Sequence, residues 1–148
     1  MSYASTAEVL DALKVRLEAL TPNYQINTDD RFRVTCSPSG EADNQVEGRT
    51  VFLSAMGAIP SRPGQGCYPW QTAVTLETVY PVAPAELGTH TTHQRALRDT
   101  EDVLADLQTW STTTDGITKI DADLADLTPT GGGFLVCTRR IRVDFQRT

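Results

Sequence analysis

The stretch FLVCTRRIRVDFQ, residues 134–146, decides the fold. Five apolar side chains share one parity: Leu135, Cys137, Ile141, Val143 and Phe145. Four polar side chains take the other parity: Thr138, Arg140, Arg142 and Asp144. Because successive side chains of a strand point to opposite faces, this alternation predicts a long strand with one buried face and one wet face.

The residues before this strand complete a predicted β-hairpin. Residues 117–127 form the first arm, and TPTGGG, residues 128–133, forms the loop. Asp121 and Asp123 share a face of the first arm, and arginines 139, 140 and 142 lie on the second, so we expect cross-strand charge pairs. Asp121 to Asp126 lack the ligand spacing of a calcium loop, and the glycine run lacks the Lys-Ser/Thr of a phosphate-binding loop.

Two amphipathic helices are predicted elsewhere. The first covers about residues 7–20, with Ser5 and Glu8 spaced as a capping box and leucines at helical spacing. The second begins near Thr91 or Thr92, with Thr91 and Gln94 as its capping box. The side chains expected to face the core are Leu10, Leu13, Leu17 and Leu20 in the first helix, and Leu97, Val103, Leu104, Leu107 and Trp110 in the second.

The remaining β-favouring segments are 24–35, with a turn inside it, 49–56 and 72–82. Two long loops, 36–48 and 57–71, separate them. The order is therefore helix, several strands, helix and two strands. This order predicts a single α+β domain over residues 1–148, with a mostly antiparallel sheet, two main helices on one face, long loops and a C-terminal β-hairpin.

Composition restricts the classes of function. The chain has 148 residues, 39% of them apolar and 22% charged, with a formal net charge of −6. An acidic chain gains little from counterion release on DNA or anionic lipid, so neither is expected as a tight ligand. No apolar run reaches the roughly 18 residues that span a bilayer. Three widely spaced cysteines favour reduced thiols in the cytosol.

Three residues are candidates for catalysis or metal binding: Cys67, His90 and His93. Cys67 could act as a nucleophile with His90 or His93 as its base, but its surroundings match no cysteine-hydrolase signature. His90 and His93 are spaced as a metal-binding pair, yet no third ligand has a suitable spacing. We therefore expect no enzyme activity, no catalytic or metal residues and no cofactor.

The two loops are the predicted functional region. Tyr68 and Trp70 place two aromatic side chains in a glycine- and proline-rich segment, and aromatic residues are enriched at protein interfaces. The other loop carries Glu41, Asp43 and Glu47. We predict a protein interface at these five residues, with the acids remaining solvated. The alternative for Trp70 is that it folds back onto its own core.

The order of elements resembles the tail terminator (tail completion, or minor tail) proteins of long-tailed bacteriophages. The likeness rests on the helix TAEVLDALKVRLEAL, the strand TAVTLETVYPV, the helix HQRALRDTEDVLADLQTW and the closing FLVCTRRIRVDFQ. It covers nearly the whole chain through length, order and pattern, without an invariant motif.

This resemblance implies a virion protein of the tail or neck, made late in infection and assembled in the host cytoplasm. Six copies would form a ring that caps the tail tube, ends its polymerisation and offers a surface for head–tail joining. The implied partners are other copies, the tail tube protein and a head–tail connector, with double-stranded DNA only passing through the channel and no membrane. The alternatives are a neck (head-closure) protein or a small cellular protein-binding module.

Overall fold

The computed structural model describes residues 2–22, 31–38, 49–61, 69–81, 91–130 and 133–148. In chain order the elements are α1 (Thr6–Ala19), β1 (Arg33–Thr35), β2 (Thr50–Ala55), β3 (Ile59–Pro60), β4 (Trp70–Pro81), α2 (Thr92–Thr113), β5 (Ile117–Ala122), β6 (Asp126–Pro129) and β7 (Phe134–Phe145).

β7 is the strand on which the sheet is built. It pairs antiparallel with the whole of β4, from Trp70↔Phe145 to Pro81↔Phe134. Its other edge pairs with β5 and then with β6. The sheet continues from β4 to β2 and β1, in the order β1-β2-β4-β7-β5, and β3 pairs with the start of β4. Only β1 and β2 run parallel among the described strands, so the predicted α+β class and mostly antiparallel sheet are confirmed.

The alternation that predicts β7 is also present in its burial. The side chains of one parity are buried: Leu135, Cys137, Ile141, Val143 and Phe145. Register places Ile141 opposite Val74, and Leu76 lies opposite Leu53 on β2, so these side chains share one face of the sheet. This face carries the hydrophobic core.

Both helices pack on that core face. Their fully or nearly fully buried apolar side chains form one cluster with the strands: Val9, Leu13 and Leu17 of α1, and Val103 and Leu107 of α2. Arg16 of α1 also donates to both carboxylate oxygens of Asp106 of α2, at 2.7 and 2.8 Å. The opposite face of the sheet is not covered by either helix.

The start of α1 differs from its predicted capping box. Ser5 occupies the N-cap position, but its side chain makes no capping hydrogen bond. The Glu8 carboxylate instead accepts from the Ala4 backbone N–H at 2.7 Å, one residue earlier than the box requires.

The buried face of α1 lies slightly to one side of the predicted one. Val9 is fully buried, whereas Leu10 and Leu20 are only half-buried.

The buried face of α2 is also rotated from the prediction. Its capping box is confirmed, because Thr91 and Gln94 satisfy each other's backbone N–H groups. Leu97 is 37% exposed and Leu104 is half-buried, which contradicts their predicted burial. Asp99 takes the core-facing position instead. Asp99 forms a buried ion pair with Arg49, and this face of α2 packs against the sheet.

The C-terminal hairpin is confirmed, but its first arm is interrupted. Residues 123–125 break it into β5 and β6, and the pairing of β5 with β7 shifts between Ile117 and Lys119. The loop is also shorter than predicted, because Thr128 and Pro129 pair with β7.

The predicted loop 57–71 contains a short strand pair. Ile59 and Pro60 pair with Gln71 and Trp70, because the chain returns along the edge of β4. In the segment 24–35 only the second predicted strand falls within the described residues, as β1. Residues 39–48 of the other loop lie outside them.

Candidate protein interface

Of the five residues predicted to form a protein interface, Trp70 is described. Tyr68, Glu41, Asp43 and Glu47 lie outside the described residues. Trp70 is the first residue of β4, half-buried and packed against the main core. The Arg147 guanidinium lies over its ring, 4.3 Å from the centroid, at cation–π distance. The indole therefore packs on the core of its own domain, which is the alternative given above for Trp70. Its part in a protein interface stays a prediction.

Of the three residues considered for catalysis or metal binding, the described structure includes His93. Cys67 and His90 lie outside it, and His93 is exposed in the first turn of α2. No group of three His, Cys, Asp or Glu side chains within the described ranges could hold a metal ion. Burial raises the pKa of the Cys137 thiol, which keeps it protonated and weakly nucleophilic.

Of the predicted cross-strand charge pairs, the one between Asp123 and Arg142 is present, whereas Asp121 pairs with a residue of its own strand. Arg142 donates to the Asp123 carboxylate at 2.8 Å, and this hydrogen bond lowers the pKa of Asp123. Asp121 lies 3.1 Å from the Lys119 ammonium. These contacts confirm that charge pairing at the hairpin includes a cross-strand pair.

A buried polar cluster, which the sequence reasoning missed, joins α2 to the sheet. Asp99 is 2% exposed, and one of its carboxylate oxygens accepts from Arg49 at 2.7 Å and from the Tyr80 hydroxyl at 2.8 Å. Burial, followed by the charge of Asp99, raises the pKa of Tyr80 well above its usual value. The hydroxyl therefore stays protonated and continues to donate.

The sequence does contain one signal for this cluster. Asp99 precedes Val103 by four residues and Leu107 by eight, which places all three on one helical face. Arg49 carries no such signal. Its backbone is left-handed, with φ of 58°, a conformation that costs a non-glycine residue roughly 1–2 kcal/mol. Because Arg49 and Tyr80 donate to the same oxygen of Asp99, the cluster connects α2 to β4 and to the residue before β2.

The open surface lies on the face of the sheet that the helices leave uncovered. We call it the sheet groove and define it by Met56, Ile59, Gln71, Ala73, Asp123, Arg140 and Arg142. Gln71, Ala73, Arg140 and Arg142 have the strand parity opposite to the core residues. Met56 and Ile59 border the groove from the end of β2 and from β3.

The groove is apolar at its border and cationic within. Met56 is 59% exposed and Ile59 is 64% exposed, which is high for large apolar side chains. Arg140 is exposed, and its guanidinium contacts the Met56 sulfur at 3.2 Å. Exposed methionine and arginine in one depression are typical of protein interfaces. The sequence reasoning missed Met56 and Ile59 and considered Arg140 and Arg142 only as ion-pair partners.

No helix in the described ranges combines the length and apolar character needed to cross a membrane. No protein-family model matches the chain, and no curated protein matches it either.

Proposed function

We propose that this chain is a structural assembly protein of the tail-terminator type. In this role, copies of the chain form a ring on the tail tube of a long-tailed bacteriophage, end its polymerisation and provide the surface for joining to the head. Its partners are other copies, the tail tube protein and a head–tail connector, and it catalyses no reaction. It acts in the virion after assembly in the host cytoplasm.

The sheet groove is the observation that carries the proposal. A chain with a net charge of −6 places two arginines beside exposed Met56 and Ile59 on a face without helices. Such a surface suits contact with another protein better than binding of a small molecule, since it is open and bordered by apolar side chains. The acidic balance also suits a ring through which DNA passes without adhering.

The resemblance to tail terminator proteins is the reason for proposing this particular assembly, a ring on a tail tube. It extends over the two helices, the central strand and the closing strand, which the structure arranges as one sheet with both helices on one face. A neck protein or a cellular binding module would share this general arrangement, so the experiment must separate the three roles.

Assembly with the tail tube protein tests the proposal. The tube protein encoded in the same gene neighbourhood would be polymerised with and without the purified chain, and tube lengths would be measured by electron microscopy. We expect shorter tubes with a ring of density at one end. An unrelated acidic protein of similar size serves as the control. Tubes that grow equally long and carry no ring would refute the tail-terminator role, and binding to the connector alone would favour a neck protein.

A further inference from the structure

Two surface patches of opposite charge lie on opposite sides of the domain. One is the sheet groove. The other is the outward face of α1, which we call the α1 stripe and define by Glu8, Asp11, Val15 and Glu18. We propose that the α1 stripe of one copy docks in the sheet groove of a second copy. This inference rests on the proposed function only for the closure of such contacts into a ring.

The α1 stripe has the spacing of one helical face. Its four residues are separated by three, four and three positions, and all are exposed. Val15 is 68% exposed between carboxylates on either side. Asp11 and Glu18 form no ion pair with any residue that the structure describes. Lys14 lies beside Asp11 and Glu18 on the same side of the helix, so this face presents one apolar side chain with three carboxylates against one ammonium.

The sheet groove offers the complementary chemistry. Met56 and Ile59 provide an apolar border for a side chain such as Val15. Arg140 and Arg142 outnumber Asp123 among the lining side chains, while Asp121 acts on Arg142 and Asp144 accepts from Gln71 beside them, so Arg140 supplies the positive charge of the groove. Arg140 is the more available of the two, because Arg142 already pairs with Asp123 whereas Arg140 contacts a sulfur atom. Complementary charge selects this partner over a second groove or a second stripe.

The positions of the two patches determine the symmetry of the contact. α1 packs on the core face of the sheet, and the groove lies on the other face. A pair of copies joined through one stripe and one groove therefore leaves a free groove on one copy and a free stripe on the other. Such head-to-tail contacts close into a ring if the rotation between neighbouring copies completes a turn, and extend as a filament if it does not. The contact is therefore not a two-fold dimer, and its closure into a ring is the part that rests on the proposed function.

Charge reversal on each patch tests the docking. In Arg140→Glu the groove repels the wild-type stripe, and in the double variant Asp11→Arg/Glu18→Arg the stripe repels the wild-type groove. Each variant alone should weaken self-association at least about tenfold in light scattering against concentration. Mixed in equal amounts, the two variants should regain the wild-type mass, because every contact in an alternating ring then joins opposite charges.

Two matched variants serve as controls. Arg31→Glu and Glu101→Arg reverse exposed charges outside both patches and should leave the mass unchanged. Circular dichroism should show the same folded signal for every variant. The docking is overturned if Arg140→Glu assembles like wild type, if the mixture stays monomeric, or if wild type is monomeric at the highest attainable concentration.

The result also separates this inference from the proposed function. If the mixture regains its mass but its rings fail to cap tail tubes, the docking stands and the tail-terminator role fails. If wild type caps tubes and the charge variants cap them equally well, the role stands and the docking fails.

Discussion

Arg49 and Asp99 form an ion pair of 2.7 Å in which both side chains are almost completely buried, at 3% and 2% exposure. The pair joins the residue before β2 to the middle of α2, across the core face of the sheet. Burial of the charges is costly, and their mutual attraction offsets that cost only while both partners are present.

Removal of one partner should therefore destabilise the fold strongly. Asp99→Ala leaves the Arg49 guanidinium enclosed without this carboxylate and should lower the free energy of unfolding by about 3–5 kcal/mol. Asp102→Ala is the matched control, since it removes the partly exposed partner of Arg98 on the same helix and should cost less than about 1 kcal/mol. Urea denaturation measures both values, and equal losses would contradict the structural role of the buried pair.

Tyr80 should make stability sensitive to alkaline pH. Its pKa is raised in the folded chain, so the unfolded chain loses the proton first as pH increases. The stabilisation is thus complete below the ordinary tyrosine value of about 10 and declines as pH rises toward the folded pKa. Tyr80→Phe should be less stable at neutral pH but should lose less stability between pH 9 and about 11. Parallel pH profiles for the two proteins would rule out this assignment.

Three leucines of α2 should differ in their contribution to stability. Leu107→Ala, at a fully buried position, should cost roughly 2–5 kcal/mol. Leu104→Ala should cost less, because this side chain is half-buried. Leu97→Ala, at 37% exposure, should stay within about 0.5 kcal/mol of wild type. Thermal unfolding of the three variants checks the order, and a larger loss at Leu97 than at Leu107 would mean that α2 presents a different face to the sheet.

Trp70 should contribute to stability without any partner protein. Trp70→Ala removes a half-buried indole next to the core and should lower the free energy of unfolding of the isolated chain by about 1–3 kcal/mol. This loss is smaller than that for a fully buried tryptophan, because part of the ring is already in contact with solvent. Arg147→Ala removes the stacked guanidinium together with its exposed hydrogen bond to the Ala4 carbonyl, and should cost about 0.5–1 kcal/mol. Chemical denaturation at low protein concentration measures both. A fully stable Trp70→Ala chain that fails to assemble would instead support an interface role alone.

The sequence allowed the elements with strong periodicity to be predicted. β7 alternates except at Arg139, and the Thr91–Gln94 box marks the start of α2, so local chemistry alone indicates both. The rotation of α2 could not be derived in this way. The spacing of leucines predicts that Leu97 faces the core, whereas the ion pair with Arg49, which is distant in the sequence, places Asp99 there. Parallel pairing of β1 with β2 could not be predicted either, because it too depends on contacts between segments that are distant in the sequence. Parallel pairing of two successive strands needs a connection of about a dozen residues or more, and segment 36–49 has that length.

The sheet groove was even less accessible to sequence reasoning. Met56 and Ile59 are apolar residues near glycine and proline, and nothing in that pattern shows that they are exposed. They meet Arg140 only because β2, β3, β4 and β7 pair in one register. A site assembled from four separate strands leaves no local spacing in the sequence.

The central place of β7 has a consequence for how the chain folds during synthesis. β4, β5 and β6 all hydrogen-bond to a strand that the ribosome makes after them. Until residues 134–145 emerge, the apolar sides of those strands have no common neighbour, and the nascent chain depends on late docking rather than stepwise folding. Ribosome-arrested chains that end before residue 134 should therefore be cleaved rapidly by a protease, and chains that expose residue 145 beyond the exit tunnel should resist it.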